Sequence, residues 1–215
     1  MTTTQSSRFA WDSTSDIEIE RESEIRKYSP DQERDSSGRF AGDGADLPTA
    51  MSGGGYIDHV MRYNDEKGCK QINDGLRSGK PSASVRETAS KLNELIDKTP
   101  GISKATTVYR GIEDGEFAKQ ILSLKPGDTL TDKGFVSTSN SKDFASQFNE
   151  IMGHSTGALI EMTLPEGTKG LDMQHYWSDF PDAERNHEFL LPSGSSFRVD
   201  SVDNGVVRVT LTGGA

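Results

Sequence analysis

The sequence predicts an α+β fold, in which helices come first and strands dominate the later part of the chain. Apolar residues recur at helical spacing between residues 56 and 99. After residue 105, short apolar runs bounded by turn residues predict seven strands, with only two helical segments among them. Helices and strands that separate along the chain in this way favour a mostly antiparallel or mixed sheet.

The composition excludes several classes of protein. The 215 residues carry 24 Lys and Arg against 34 Asp and Glu, a net charge of −10. We therefore expect no direct binding of nucleic acid or of an anionic membrane, because both need a basic surface. No apolar run approaches the ~18 residues of a membrane span and the N-terminus is polar, so we expect a soluble, intracellular protein. The single cysteine, Cys69, excludes an internal disulfide and a multi-cysteine metal site.

Residues 1–55 form a separate segment that we expect to be disordered. They hold 11 acidic and 6 basic residues, and their apolar residues are scattered singly. Two interpretations stay open for residues 16–27, a short charged helix or a strand against a partner. Residues 52–55, Ser-Gly-Gly-Gly, are typical of a flexible linker. The predicted domains are thus an acidic tail with its linker over 1–55 and one folded domain over 56–215.

Three helical segments open the folded domain. The first begins at Tyr56 and is expected to end at Gly68. Residues 71–79 predict a weaker turn of helix. Residues 82–99 give the clearest helix, capped by Ser82 or Ser84 and stopped by Pro100-Gly101, with an apolar stripe formed by Val85, Ala89, Leu92, Leu95 and Ile96.

Strands and two further helices fill the rest of the chain. The two helices are predicted over 116–124 and 141–151, with a turn at 125–128 after the first of them. A long loop is predicted over 175–186. The strands are predicted over 105–112, 134–139, 158–165, 170–173, 188–192, 196–202 and 206–211.

Three polar segments stand out because the composition does not explain them. Arg110 lies at a strand end and is followed directly by Gly111, so its guanidinium can stand where a backbone approaches closely. Residues 137–139, Ser-Thr-Ser, follow an apolar strand, although capping the next helix needs only one hydroxyl. Glu188 enters an apolar strand from a polar loop. Each segment taken alone is equally compatible with an ordinary strand end.

Other motifs in the sequence carry no function. Residues 75–82 lack the spacing and the hydroxyl residue of a phosphate-binding loop. There is no G-x-S-x-G nucleophile elbow. The four histidines have no ligand-like spacing, and we expect Cys69 to be a structural thiol.

Taken together and in this order, the three segments resemble the Arg–Ser–Glu class of mono-ADP-ribosyltransferases, which includes bacterial exotoxins and bacteriophage transferases. The resemblance spans roughly residues 56–213 and implies N-terminal helices followed by a split mixed or antiparallel β-sandwich around an NAD cleft. The stretches that match are Tyr109-Arg110-Gly111, Phe135-Val136-Ser137-Thr138-Ser139 with the later Ala145 and Phe148, and His187-Glu188-Phe189-Leu190-Leu191-Pro192.

The resemblance implies that NAD is the substrate and that no metal is needed. Glu188 would stabilise the positive charge that develops on the ribose as nicotinamide leaves, and Ser137 would hold Glu188 in place. Arg110 would pair with the pyrophosphate, and the backbone of Gly111 would hold the nicotinamide amide. The remaining NAD-binding residues would be Thr138 and Ser139, which shape the strand, and Phe148, which stacks near the nicotinamide.

One position departs from the family pattern. The residue two before Glu188, which is Glu or Gln in the family and helps to orient or deprotonate the acceptor, is Asn186 here. Asparagine cannot act as a general base. Glu184 lies on the same face of an extended segment and is the alternative base on the acceptor side. The loop over 175–186 would face the acceptor.

These features predict transfer of ADP-ribose to a macromolecule, most simply a protein of an infected bacterium. Two alternatives stay open: hydrolysis of NAD, and a virion structural or binding module that only keeps the fold. Residues 26–40 are similar to a segment of tailed-bacteriophage head-assembly proteins. This second resemblance implies a phage-head partner for the tail, and delivery from the virion into the host cytoplasm.

Overall fold

The computed structural model describes residues 18–20, 55–151, 154–173 and 188–214. The rest of the predicted tail and the predicted loop over 175–186 lie outside the described residues. None of the helices in the described ranges is long and apolar enough to cross a membrane.

Three helices open the folded domain, and they differ from the predicted ones at one point. The helices are α1 (Tyr56–Asn64), α2 (Glu66–Arg77) and α3 (Ala83–Lys98). As predicted, the Ser82 hydroxyl caps α3 by accepting the Val85 N–H at 3.3 Å. However, the single helix predicted over 56–68 is wrong, because the chain turns at Asp65 and begins α2 there.

Two residues explain the break between α1 and α2. Asp65 has an extended backbone, and its carboxylate accepts the Gly68 N–H at 2.9 Å, which makes it the N-cap of α2. Gly68, which the sequence pattern indicates as a helix end, lies instead in the first turn of α2. A Cβ at this position would lie 1.9 Å from the Arg62 carbonyl oxygen, so only glycine allows the two helices to approach this closely.

The described part of the chain also contains one strand before these helices, and eight strands and two helices after them. The helices are α4 (Glu116–Leu122) and α5 (Lys142–Ile151). The strands are β1 (Glu18–Glu20), β2 (Thr106–Glu113), β3 (Thr129–Asp132), β4 (Val136–Ser139), β5 (Thr156–Leu164), β6 (Leu171–Asp172), β7 (Glu188–Leu191), β8 (Ser195–Asp203) and β9 (Val206–Gly213). Strand β3 was not predicted, because its four residues follow a strong turn signal and are too few to give a clear alternation.

The strands form one mixed sheet, in the order β1-β3-β8-β9-β5-β2-β4-β7-β6. All neighbours pair antiparallel except β5 and β9, which are parallel. Strands β2 and β4 share a single paired position, Tyr109 opposite Ser139, so the sheet is nearly divided at this point. The predicted α+β class, with helices first and a mixed sheet after them, is confirmed.

Strand β1 comes from the predicted tail and lies at one edge of the sheet. It pairs antiparallel with β3, with Glu18 opposite Thr131 and Glu20 opposite Thr129. The sequence alone leaves two interpretations open for residues 16–27, a short helix or a strand against a partner. Residues 18–20 form a strand, and its partner strand belongs to the same chain. The boundary between tail and folded domain at residue 55 stays a prediction.

Two apolar clusters hold these elements together. The larger one lies on the face of the sheet covered by α4, and includes Val108, Ile121, Val136, Ile160, Phe189 and Phe197. The second packs the three N-terminal helices against the strands around β4, and includes Tyr63, Ile72, Leu92, Phe135, Leu171 and Leu190. Strand β7 contributes to both clusters, and all four residues of β4 and of β7 are buried.

A buried ion pair joins helix α2 to strand β3. The Arg77 guanidinium donates to both carboxylate oxygens of Asp132, at 2.9 and 3.0 Å, and both side chains are almost fully buried. Burial opposes the charge on Arg77, but the carboxylate beside it more than offsets this and raises the arginine pKa. Asp132 also accepts the Gly134 N–H at 2.8 Å, so one carboxylate fixes the approach to β4 as well.

Replacing Asp132 with alanine should lower the free energy of unfolding by about 3–5 kcal/mol, because it leaves the Arg77 charge buried without its counterion. Denaturant unfolding measures this change. Asp74→Ala is the matched control, since it removes an ion pair with Lys70 of similar length, 3.1 Å, that is exposed to solvent. The control should change stability by less than ~1 kcal/mol. Equal effects of the two substitutions would show that the buried pair has no special role.

Candidate active site

Strand β4 brings the three polar segments together. Ser139 is paired on both of its sides, with Tyr109 of β2 and with Glu188 of β7. Arg110 is the next residue along β2. The pairing of three strands that are distant in sequence therefore places the arginine, the hydroxyl triplet and the glutamate in one region.

The three predicted key side chains are all buried. Arg110 and Glu188 are 3% exposed, and Ser137 is 1% exposed. Burying charged groups costs free energy unless they are paired and hydrogen-bonded, so a fold that buries two opposite charges this close together needs a dense polar network. The contacts around β4 supply hydrogen bonds to Arg110, Ser137 and Thr138.

Arg110 is held by the backbone of β4. Its Nη1 donates to the Ser137 carbonyl oxygen at 2.6 Å. Burial and the nearby guanidinium of Arg77 lower the pKa of Arg110 to about 9, with Asp132 acting in the opposite direction. The guanidinium therefore stays positively charged at neutral pH.

The hydroxyl of Ser137 meets a tyrosine from the first helix. Tyr63 Oη lies 3.3 Å from Ser137 Oγ, and the Tyr63 ring packs edge-on against Phe135 with 5.3 Å between ring centroids. Burial raises the pKa of Tyr63 well above its usual value, and the electrostatic interactions of the phenol with Cys69 and Glu188 raise it further. The phenol is therefore neutral over the whole physiological range.

Thr138 and Ser139 hold the backbone around the site. The Thr138 hydroxyl donates to the Phe189 carbonyl oxygen of β7 at 2.7 Å. Ser139 Oγ accepts the Ser141 N–H at 3.0 Å, at the entrance to α5. The excess of hydroxyls in this triplet is thus explained by three different partners, of which only one belongs to a helix entrance.

Helix α2 adds residues that the sequence analysis missed. Asn73 Oδ1 accepts the Phe135 N–H at 2.9 Å, while its Nδ2 donates to Tyr63 Oη at 3.1 Å. Arg77 lies one turn further along the same helix, in its ion pair. A signal for Asn73 and Arg77 is present in the sequence. They are four residues apart and lie on the apolar face of α2 that also carries Cys69 and Ile72, where polar residues are not expected.

The lone cysteine faces the same interior. Cys69 is 5% exposed, and Asn73 Nδ2 lies 3.6 Å from its sulfur. Burial raises the pKa of the Cys69 thiol to about 11, so the thiol is protonated and inert at neutral pH. The prediction of a structural thiol agrees with this environment.

For several of the predicted site residues, the structure describes few or no side-chain contacts. Gly111 is buried in β2, opposite Leu159 of β5. Phe148 lies in α5, but its side chain is outside the described residues. Glu184 and Asn186, on the predicted acceptor side, also lie outside them. Among the residues that the structure does describe, no group of three His, Cys, Asp or Glu side chains could hold a metal ion.

This arrangement suits a ligand that carries negative charge at one end and develops positive charge at the other. Guanidinium groups bind phosphate oxygens in a fixed, two-pronged geometry. A fixed, buried carboxylate stabilises a cation that forms nearby more strongly than one in water, because the local dielectric is low. Arg110 and Glu188 provide one of each within three adjacent strands.

The sequence model of the ADP-ribosyltransferase exoenzyme family matches residues 58–212. The chain belongs to this family. The match covers β2, β4 and β7, the three strands that carry the candidate site, and leaves the whole predicted tail, residues 1–55, outside.

Solved structures of bacterial toxins share this fold. Plx2a, an ADP-ribosyltransferase toxin from Paenibacillus larvae, is 20% identical, with a TM-score of 0.54 over 74% of this chain and 86% of that one. C3stau2 from S. aureus, solved with NAD, is 21% identical, with a TM-score of 0.52 over 73% and 87% of the two chains. At this level of identity the likeness is one of fold.

A curated relative from a virus is much longer than this chain. It is an uncharacterized protein of Acanthamoeba polyphaga mimivirus, 28% identical over 153 residues, which are 70% of this chain and 19% of that protein. The chain therefore spans about a fifth of the length of this relative.

Adding a side chain at Gly134 should disturb the contacts between α2 and β4. A Cβ there would lie 2.8 Å from Asn73 Oδ1 and 3.3 Å from Arg77 Nε, both buried and hydrogen-bonded. We expect Gly134→Ala to lower the free energy of unfolding by about 1–3 kcal/mol, measured by denaturant titration. Gly213→Ala is the control, because a Cβ there meets nothing within 4 Å. A Gly134→Ala protein as stable as the control variant would show that the site tolerates this displacement.

Proposed function

We propose that the chain is a mono-ADP-ribosyltransferase that transfers ADP-ribose from NAD to a macromolecular acceptor, a protein, with release of nicotinamide. The observation that carries the proposal is the buried carboxylate of Glu188, paired through β4 with the strand of Arg110. Membership of the exoenzyme family supports it, as does the solved complex of C3stau2 with NAD.

Glu188 stabilises the transition state. As the bond between nicotinamide and ribose breaks, its electron pair leaves with the nicotinamide, which departs neutral, and positive charge develops on the ribose. The Glu188 carboxylate holds the ribose 2′-hydroxyl and faces this charge, which is absent in the ground state. Ser137 donates a hydrogen bond to the carboxylate. The acceptor nucleophile then bonds to the ribose carbon and loses its proton to a base.

Arg110 and its neighbours bind the rest of the dinucleotide. The Arg110 guanidinium, which β4 holds through the Ser137 carbonyl oxygen, is the group that pairs with the pyrophosphate, because its planar fork of donors matches phosphate oxygens. Gly111 offers its backbone to the nicotinamide amide, and Phe148 stacks near the nicotinamide ring. Thr138 and Ser139 keep the strand in shape through the contacts described above.

The acceptor side is the part of the site that departs from the family. Asn186 has no titratable group, so the base for the acceptor comes from another residue. Glu184 is the proposed base, since residues two apart would share a face if this segment is extended. The aromatic residues of the loop over 175–186 form the recognition surface for the acceptor protein.

The tail has a separate role in this proposal. Residues 26–40, which resemble a segment of phage head-assembly proteins, bind a partner in the virion, and the enzyme acts in the host cytoplasm after delivery. Strand β1, which belongs to the tail, lies at the edge of the sheet. Five other strands separate it from β4. Residues 18–20, the strand that the structure describes in the tail, therefore lie apart from β2, β4 and β7.

Replacing Glu188 with glutamine should reduce nicotinamide release by about 10²–10³-fold while leaving folding and most of the affinity for NAD intact, because the carboxylate acts on charge that exists only in the transition state. Turnover and NAD binding are measured on one preparation. Glu166→Gln, in an exposed turn, is the matched control and should keep full activity. Turnover of Glu188→Gln within threefold of the wild type would remove Glu188 from this role.

A glutamate at position 186 should keep NAD cleavage and raise transfer onto arginine-containing proteins, because it restores the carboxylate that the family uses there. Asn186→Gln, which has the same length without the charge, is the control and should not raise transfer. Glu184→Ala should lower transfer more than hydrolysis. The measurement is the ratio of protein-bound to free ADP-ribose, from labelled NAD and a host lysate. An unchanged ratio in Glu184→Ala would show that this carboxylate has no part in transfer.

A further inference from the structure

We propose that Tyr63 is a positioning residue of the active site, which acts through Ser137 to fix the direction of the hydrogen bond that Glu188 receives. The inference rests on the proposed function, because it assigns a kinetic consequence to that direction. Tyr63 is on α1, far in sequence from all three polar segments, and only the folded chain brings it to β4.

The direction of the hydrogen bonds is set at Asn73. The Phe135 N–H can only donate, and it points to one atom of the Asn73 side-chain amide at 2.9 Å. That atom must therefore be the oxygen, Oδ1. The other atom is the NH₂ group, which can only donate, and it lies 3.1 Å from Tyr63 Oη. Tyr63 thus receives a hydrogen bond from Asn73.

The proton of Tyr63 is then directed at Ser137. The phenol is neutral and has one proton to donate, while its oxygen accepts from Asn73. Its other polar neighbours are Ser137 Oγ, at 3.3 Å, and the Cys69 sulfur, which is a weaker acceptor and already faces Asn73 Nδ2. Tyr63 therefore donates to Ser137 Oγ, and Ser137 acts as the acceptor in this contact.

Ser137 consequently gives its own proton in another direction. Alternate residues of a strand face the same side of the sheet, so Ser137 and Ser139 share a face, and Glu188, directly opposite Ser139, shares it too. Ser137 and Glu188 are diagonal neighbours, a spacing that a long side chain bridges. Leu190, the residue directly opposite Ser137, packs in the same cluster as Tyr63, which places this face toward the helices.

The chain of donors therefore runs from Asn73 through Tyr63 and Ser137 to the Glu188 carboxylate. The opposite direction, with Ser137 donating to Tyr63, would turn a serine lone pair toward the carboxylate and repel it. Hydrogen bonds that donate in one direction along a chain also strengthen each other. A carboxylate held in this way is already oriented for the positive charge that develops on the ribose. Loss of this orientation should therefore lower turnover and leave substrate binding unchanged.

Tyr63→Phe removes the hydroxyl and keeps the ring that packs on Phe135. We expect kcat for nicotinamide release to fall about tenfold, with KM for NAD within twofold of the wild type. Tyr56→Phe is the matched control on the same helix, since its hydroxyl contacts Glu94 and Lys98 instead of β4. The control should keep the wild-type kcat. The unfolding midpoint of each variant establishes that it is folded.

A double substitution tests whether Tyr63 acts through Ser137. If it does, Tyr63→Phe should cause no further fall in kcat when it is added to Ser137→Ala. Asn73→Asp tests the same point in a second way. The aspartate keeps an oxygen that accepts the Phe135 N–H, but it replaces the NH₂ group that donates to Tyr63 with a second oxygen. Tyr63 must then donate its proton to residue 73 and can no longer donate to Ser137. We expect Asn73→Asp to lower kcat at least as much as Tyr63→Phe.

Three results would overturn the inference while leaving the proposed function in place. In each case the wild type is active. The first is an unchanged kcat in Tyr63→Phe, and the second is a fall in kcat from Tyr63→Phe that adds fully to the fall caused by Ser137→Ala. The third is a rise in KM that accounts for the whole loss of kcat/KM in Tyr63→Phe. A wild type that releases no nicotinamide would overturn the proposed function, and the inference with it.

Discussion

The site depends on one constraint: a four-residue strand, β4, is buried on both faces and yet carries three consecutive hydroxyl residues between an arginine and a glutamate. Buried polar groups need partners, and water is not there to supply them. The partners come from the elements around the strand, with Tyr63 and Asn73 contributed by helices and backbone carbonyls by the neighbouring strands. The N-terminal helices are therefore part of the site, and not only a support for the sheet.

The same constraint explains why charge is concentrated in the interior. Arg77 with Asp132, and Arg110 near Glu188, place four charged groups where burial opposes them. Burying charged groups lowers the free energy of unfolding, and such groups are found most often where function requires a fixed charge. The proposed NAD site lies where the sheet is nearly divided, since β2 and β4 are joined at one paired position.

Much of this could be predicted from the sequence, and the failures have physical reasons. Arg110, residues 137–139 and Glu188 were recognisable because each combines a strand with a polar residue that the strand does not need. Asn73 gives only a weak signal, a polar residue on the apolar face of α2, and Tyr63 gives none, because the partners that reveal their roles, Phe135 and Ser137, are distant in sequence. The break at Asp65 depends on how closely two helices approach, and the short strand β3 on pairing with β8, neither of which a local pattern contains. Glu184 and Asn186 stay predictions.

A crystal structure of the protein with carba-NAD, an analogue whose glycosidic bond resists cleavage, tests the central claim most directly. The account predicts the 2′-hydroxyl of the nicotinamide ribose within about 2.6–3.2 Å of the Glu188 carboxylate, and the pyrophosphate at the Arg110 guanidinium. It also predicts the Ser137 hydroxyl between Tyr63 and Glu188, unmoved by the ligand. A dinucleotide bound away from β2, β4 and β7, or one whose ribose does not contact Glu188, would contradict the account.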